Sequence, residues 1–75
     1  MFEEVQKLIA DTLGIDKKKI TINTNLASDL AIESLDLVDL VAAFEKKYKI
    51  TIPDQDIKKL QTVKDIINYI ENKNV

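Results

Sequence analysis

Residues 29–53 read DLAIESLDLVDLVAAFEKKYKITIP, and this stretch decides the fold. Between Ser34 and Tyr48 it contains neither glycine nor proline, and its apolar residues return at helical intervals. The spacing predicts a helix over 34–48, with Leu35, Val38, Val41 and Ala42 on one face, joined by Phe44 and Tyr48. Asp36, Asp39 and Glu45 lie away from that stripe, and Leu37 sits oddly on the acidic side. Lys46, Lys47 and Lys49 close the segment and suit the negative end of a helix dipole. Pro53 blocks easy continuation, because the residue before a proline avoids helical geometry.

Upstream, Phe2, Val5, Leu8, Ile9 and Leu13 recur at near-helical spacing, and Gly14 follows as a left-handed stop, so a helix is expected over 2–13. From Ile15 to Glu33 the pattern weakens into a long loop with one or two irregular turns. A loop of that length is pinned by its own side chains or is functional, and Ile20, Ile22, Leu26 and Leu30 are the candidate pins. Downstream, Asp54 is placed to cap a short helix reaching Leu60. Thr62 opens a last helix in which Val63, Ile66, Ile67 and Ile70 follow the i, i+3, i+4, i+7 rule, and residues 72–75 are expected to fray. The tetrapeptide Lys-Ile-Thr-Ile occurs at 19–22 and again at 49–52. Two such β-branched runs are able to pair as strands, but each is too short to hold a sheet.

Composition narrows the chemistry. Seventy-five residues make a single domain, 1–75, near the lower size limit for folding without crosslinks or metals. With no cysteine and no histidine, the chain has no disulfide, no serine–histidine or cysteine–histidine machinery and no zinc site of the usual kind. Asp54-Gln55-Asp56 lacks the turn glycine and closing glutamate of a calcium loop, so no metal site is assigned. A chain this short has little room for a deep catalytic cleft, which points away from an enzyme. The opening Met1-Phe2-Glu3-Glu4 is not a secretory leader, and the longest apolar run, Leu40 to Phe44, falls far short of the ~20 residues of a spanning helix. A cytoplasmic protein with no membrane insertion is expected.

Net charge is −2, but its distribution is uneven. All 11 basic residues are lysines, and none lies between Ile20 and Glu45, an interval that holds Asp29, Glu33, Asp36, Asp39 and Glu45. One region should therefore present a purely acidic face, which repels nucleic acid and attracts basic protein surfaces.

At the head of the acidic helix stands Ser34, after Glu33 and before Leu35. Its hydroxyl sits at the positive end of the helix dipole, where free amides favour an attached phosphate. On local evidence alone the N-cap is the commoner reading of such a serine. The wider ordering separates the two readings: Ser34-Leu35, Asp36, Val38-Asp39-Leu40-Val41, Phe44-Glu45, Tyr48, Ile52-Pro53-Asp54 and Thr62-Val63-Lys64-Asp65-Ile66. This series resembles the acyl carrier proteins, in which an Asp-Ser-Leu triplet opens the second helix, and the resemblance covers nearly the whole chain.

The resemblance implies an all-α four-helix bundle with three longer helices, a short third helix and a long loop between helices 1 and 2. It implies 4′-phosphopantetheine on Ser34, donated from coenzyme A, with acyl groups held as thioesters on its thiol. The chain is then a non-catalytic carrier serving enzymes of fatty-acid synthesis. Its partners would be a phosphopantetheinyl transferase and acyl-transferring, condensing and reducing enzymes with basic docking patches, and it would work as a monomer. Glu33, Leu35, Asp36, Leu37, Asp39 and Glu45 form the expected docking surface. Ala42 and Ala43, near Val38, Val41 and Ile66 or Ile67, either leave a space that opens for a retracted acyl chain or allow close helix approach in a packed core. The chain departs from the family at Glu33, where aspartate is usual, and at Ala31, where glycine is frequent. Two other readings stay open: a small acidic helical adaptor without an arm, and a carrier of aminoacyl or peptidyl groups.

Overall fold

In a computed structural model that describes residues 1–73, the elements run α1 (Phe2–Leu13), a single 3-10 turn (Lys17–Lys19), α2 (Ser34–Tyr48), α3 (Asp54–Ile57) and α4 (Val63–Lys73). Helices α1 and α2 begin and end where the sequence pattern places them. The described residues contain no strand. The second Lys-Ile-Thr-Ile repeat begins instead with Lys49 in the left-handed cap of α2, at φ 55°.

Helix α1 starts with Glu3 and Glu4 in its first turn, where carboxylates complement the dipole, and stops at Gly14 (φ 68°), whose N–H returns to the Ala10 carbonyl. It buries Val5 and Ile9 completely, against Leu40, Phe44, Val63, Ile66 and Ile70 of the same apolar cluster. Helix α4 contributes the four residues that the periodicity named, Val63, Ile66, Ile67 and Ile70, all buried. Its start is a reciprocal cap. The Asp65 N–H donates to Thr62 Oγ1 at 3.2 Å, while the Thr62 and Gln61 N–H groups donate to Asp65 Oδ2 at 3.1 and 3.2 Å. The helix continues through Asn72 and Lys73, which the sequence pattern had assigned to a fraying tail; the remainder of that tail, 74–75, lies outside the described residues.

The loop between α1 and α2 is held at both of its sides. Gln6 Nε2 donates to the carbonyls of Lys17 and Ile20 at 2.8 and 2.9 Å, and Ile20 and Leu26 enter the core. Farther on, the loop supplies acceptors to the α4 amides: Val63 N–H to Thr24 O at 3.1 Å and Lys64 N–H to Ile22 O at 3.0 Å. Ile22 therefore fastens the loop through its carbonyl, not through its side chain, which is 43% exposed, contrary to the pinning expected of it. Leu30 is half-buried against the core.

Helix α3 is shorter than the pattern suggested, and Asp54 is its first residue, not its cap. The cap position belongs to Pro53, whose carbonyl accepts from the Asp56 and Ile57 amides at 2.9 and 3.1 Å. After Ile57 the chain tightens into i→i+3 bonds, Lys59 N–H to Asp56 O and Leu60 N–H to Ile57 O, and this turn delivers Leu60 into the core.

Candidate functional site

Helix α2 faces two ways. Leu40, Val41 and Phe44 are buried, with Leu37 and Tyr48 half-buried beside them, so the inward stripe is 37, 40, 41, 44, 48. Leu35 is 78% exposed, Val38 is 58% exposed, and Ala42 is exposed with them. The stripe read from sequence thus mixed the two faces. Leu37, set aside as the odd residue, belongs to the interior, whereas Leu35, Val38 and Ala42 belong to the surface. The inward set was the better solution on spacing alone, because it is an unbroken i, i+3, i+4, i+7, i+11 series that places Leu37 and Phe44 together.

Ser34 occupies the first helical position and is exposed. It is not the cap. Glu33 stands there in extended geometry (φ −90°, ψ 170°), and the Asp36 carboxylate accepts the Glu33 N–H in a long bond of 3.5 Å. The first intrahelical bond runs from the Leu37 N–H to the Glu33 carbonyl at 3.0 Å. The amides of Ser34 and Leu35 consequently have no carbonyl of an earlier turn to bond, and the helix start offers them to an anion.

The approach to Ser34 is a tightly folded segment. Asn25 Oδ1 accepts from the Ala27 and Ser28 amides at 2.9 and 3.0 Å, and Asp29 Oδ2 accepts from the Asn25 N–H at 2.8 Å. The Ile32 N–H returns to the Leu26 carbonyl at 3.1 Å, and Ala31 between them adopts φ 53°. That left-handed angle explains in physical terms why a glycine would suit position 31.

An apolar cleft of about 210 Å³ lies against this segment, lined by Asn25, Leu26, Ala27, Ile32, Leu37, Leu60 and Gln61. Ile32 precedes Ser34 by two residues and Leu37 follows it by three, so the cleft flanks the base of the serine. Ala42 and Ala43 are not among its lining residues, so it is distinct from the space considered beside those alanines. Leu26 and Leu60 are brought to it from distant parts of the chain by the Leu26 N–H to Gln61 O bond at 2.8 Å. No local sequence signal marks that pairing. A second, more polar depression of about 410 Å³, lined by Glu4, Lys7, Leu8, Asp11 and Lys47, lies at the far end of α2. Lys47 is ~20 Å along the helix from Ser34 at the usual rise per residue.

Of the residues expected to dock partners, Glu33, Leu35, Asp36 and Asp39 are exposed around or just beyond Ser34. Two others are engaged elsewhere. Leu37 lines the cleft, and half-buried Glu45 accepts the Ile52 N–H at 2.8 Å, holding the chain as it leaves α2. Val38, which the sequence pattern assigned to the core, joins the exposed set. Among the described residues no group of His, Cys, Asp or Glu is arranged to hold a metal ion, and no helix is long and apolar enough to cross a membrane.

A reachable hydroxyl on a helix start, ringed by acids and backed by an apolar cleft, is the arrangement of a carrier domain, which holds a group for other proteins to act on. The model of the phosphopantetheine attachment site family matches residues 3–70. The chain is 42% identical over 73 residues to the acyl carrier protein of Thermotoga maritima, covering 97% of this chain and 90% of that relative. Its structure is similar to the solution structure of a protein from Anaplasma phagocytophilum assigned as an acyl carrier protein. That match has a TM-score of 0.89 and 35% identity and covers 99% of this chain and 88% of the other. The chain belongs to the acyl carrier proteins, the family built around a phosphopantetheine attachment site. Members carry acyl groups and depend on transferases and synthases for the chemistry; their prosthetic group is 4′-phosphopantetheine.

Proposed function

We propose that Ser34 is the attachment residue and that the chain, acting as one carrier domain over 1–75, presents acyl thioesters to enzymes of fatty-acid synthesis. The observation that carries this reading is that Ser34 is exposed at the first position of α2 while Glu33 and Asp36 perform the capping. A serine freed from capping has its hydroxyl available for a phosphodiester. When attached, the arm supplies a thiol that a chain without cysteine cannot. The residues present suit it: the unbonded amides of the first turn favour the phosphate, and the cleft bounded by Ile32, Leu37 and Leu60 offers apolar cover to an acyl chain.

Glu33, Leu35, Asp36 and Asp39, with Val38, form the docking surface in this reading. The acids meet lysine or arginine on a phosphopantetheinyl transferase and on acyl-transferring, condensing and reducing enzymes, and Leu35 and Val38 add apolar anchors. Exposed ion pairs contribute only ~0.2–1 kcal/mol each, so docking is transient and salt-sensitive, as a carrier visiting several enzymes requires. The protein works as a cytoplasmic monomer that catalyses nothing itself.

The test is intact mass after incubation with coenzyme A, magnesium and a broad-specificity phosphopantetheinyl transferase. The parent should gain one phosphopantetheine and Ser34→Ala none. A mass gain that survives in Ser34→Ala would overturn the assignment. So would the absence of any gain in both the parent and Glu33→Asp across several transferases, which would return the chain to the adaptor reading.

A further inference from the structure

The wall of the cleft opposite α2 is made by Leu60 and Gln61, and these residues hang from α3. The i→i+3 bonds from the Lys59 and Leu60 amides to the Asp56 and Ile57 carbonyls make the turn 58–60 a direct extension of that helix. The position of α3 therefore bears directly on Leu60, while Gln61 is also tied to Leu26 and Asp65. A helix of four residues is far too short to be stable by itself, so its position depends on its fastenings.

Those fastenings are unequal. The segment is tied at its start by the Ile52 N–H to Glu45, and at its end by the Leu26 N–H to the Gln61 carbonyl and the Gln61 N–H to Asp65. Between these ends, one polar bond joins α3 to the rest of the bundle among the described residues: Tyr69 Oη donates to Asp56 Oδ2 at 2.7 Å. The Asp56–Lys59 ion pair at 3.6 Å stays within the segment itself. Tyr69 is a fixed point, because its helix neighbours Ile66 and Ile70 are buried in the core. Burial and the bond to Asp56 push the Tyr69 phenol up to about 12, while the same bond, with help from Lys59, holds the Asp56 carboxyl below its ordinary value. The donor is thus protonated and the acceptor charged throughout the neutral range, the condition for a strong, short bond.

We infer that the Tyr69–Asp56 hydrogen bond is a latch on α3, and that by holding the Leu60–Gln61 wall it sets how readily the cleft opens to an acyl chain. Tyr69 is a positioning residue, acting through α3. This inference rests on the reading of the cleft as the acyl-binding surface, and its experiment separates the two.

Tyr69→Phe keeps the ring and removes the donor. Amide hydrogen exchange on the protein without its arm is the first measurement. The Lys59, Leu60 and Gln61 amides should exchange roughly tenfold faster than in the parent, as loss of one charge-assisted bond implies, with α1 and α4 amides little changed. Asp56→Asn, which keeps an acceptor but loses its charge, should fall between the two. Equal exchange in parent and variant, or a rise matched across α1 and α4, overturns the latch. The second measurement is cleavage of the loaded thioester by hydroxylamine, with an acetyl and an octanoyl group compared. The octanoyl thioester should be the slower in the parent, and the ratio should move towards one in Tyr69→Phe. A ratio unchanged by the substitution overturns the gating role, even where exchange has risen. A ratio of one already in the parent strikes the cleft reading, and the gating role falls with it, while the exchange result still decides whether α3 is latched.

Discussion

Helices α2 and α4 lie in the same bundle but obey different sequence rules. In α4 every aliphatic residue is buried, and apart from half-buried Tyr69 the remaining positions, Lys64, Asp65, Asn68, Glu71, Asn72 and Lys73, are polar. In α2 the buried set of Leu40, Val41 and Phe44 is accompanied by a second apolar set, Leu35 and Val38, that the fold leaves in water. A helix whose only neighbour is the core displays one period. A helix that serves the core on one side and, as proposed for α2, partner proteins on the other displays two, interleaved. An exposed leucine adds little to folding, and in the function proposed above Leu35 and Val38 serve as apolar anchors for partners.

The largest effect that tests this contrast is on stability. Phe44→Ala in α2 should cost about 3–5 kcal/mol, a large share of what a domain of this size possesses, measured as the shift in urea midpoint. Leu35→Ala and Val38→Ala should stay within ~0.5 kcal/mol of the parent while slowing modification by the transferase. Comparable destabilisation by Val38→Ala would mean that the two faces of α2 have been wrongly divided.

The acids of α2 divide in the same manner, with smaller effects. Glu45→Ala strands the N–H of buried Ile52 and should cost about 1–3 kcal/mol, with Glu45→Gln, which keeps an acceptor, recovering much of it. Asp39→Lys should leave the urea midpoint unchanged and slow partner turnover, most visibly at low salt. Asp39 is the cleaner choice than Asp36, whose carboxylate also serves the start of the helix. Stability loss in Asp39→Lys, or unchanged kinetics, breaks the division.

This contrast also explains which parts of the structure were legible in advance. The limits of α1 and α2, the stripe of α4, and Ser34 at the head of an acidic helix all follow from side-chain periodicity and stop signals, which are local. The phase of α2 was missed because two apolar sets share one helix and either is able to pass for the core. Ile22 was misjudged because its contribution is a carbonyl, and backbone groups leave no mark in a sequence. The cleft beside Ile32 and Leu37 has no mark in the sequence for a related reason: the Leu26 N–H to Gln61 carbonyl bond at its edge joins residues 35 apart through main-chain atoms. Glu45 looked like its exposed neighbours until the return of the chain at Ile52 gave its carboxylate a partner.

The smallest effect concerns the two left-handed residues that flank α2, Ala31 before it at φ 53° and Lys49 after it at φ 55°. Both carry a β-carbon into a conformation that costs a non-glycine residue roughly 1–2 kcal/mol, and glycine would relieve it. The greater freedom of glycine in the unfolded chain returns about 0.5–1 kcal/mol, so each replacement should stabilise the fold by only ~0.5 kcal/mol. The two positions differ in what lies beside them. Lys49 follows the last turn of the helix, far from Ser34, and Lys49→Gly should alter stability alone. Ala31 sits on the segment that carries the chain to Ser34 and lines the cleft through Ile32. If the strain at Ala31 only accommodates a turn already fixed by Asn25 and Asp29, Ala31→Gly will stabilise the protein and leave the transferase rate as it was. A slower rate with equal or higher stability would show instead that the stiffness of alanine helps to hold the serine in place.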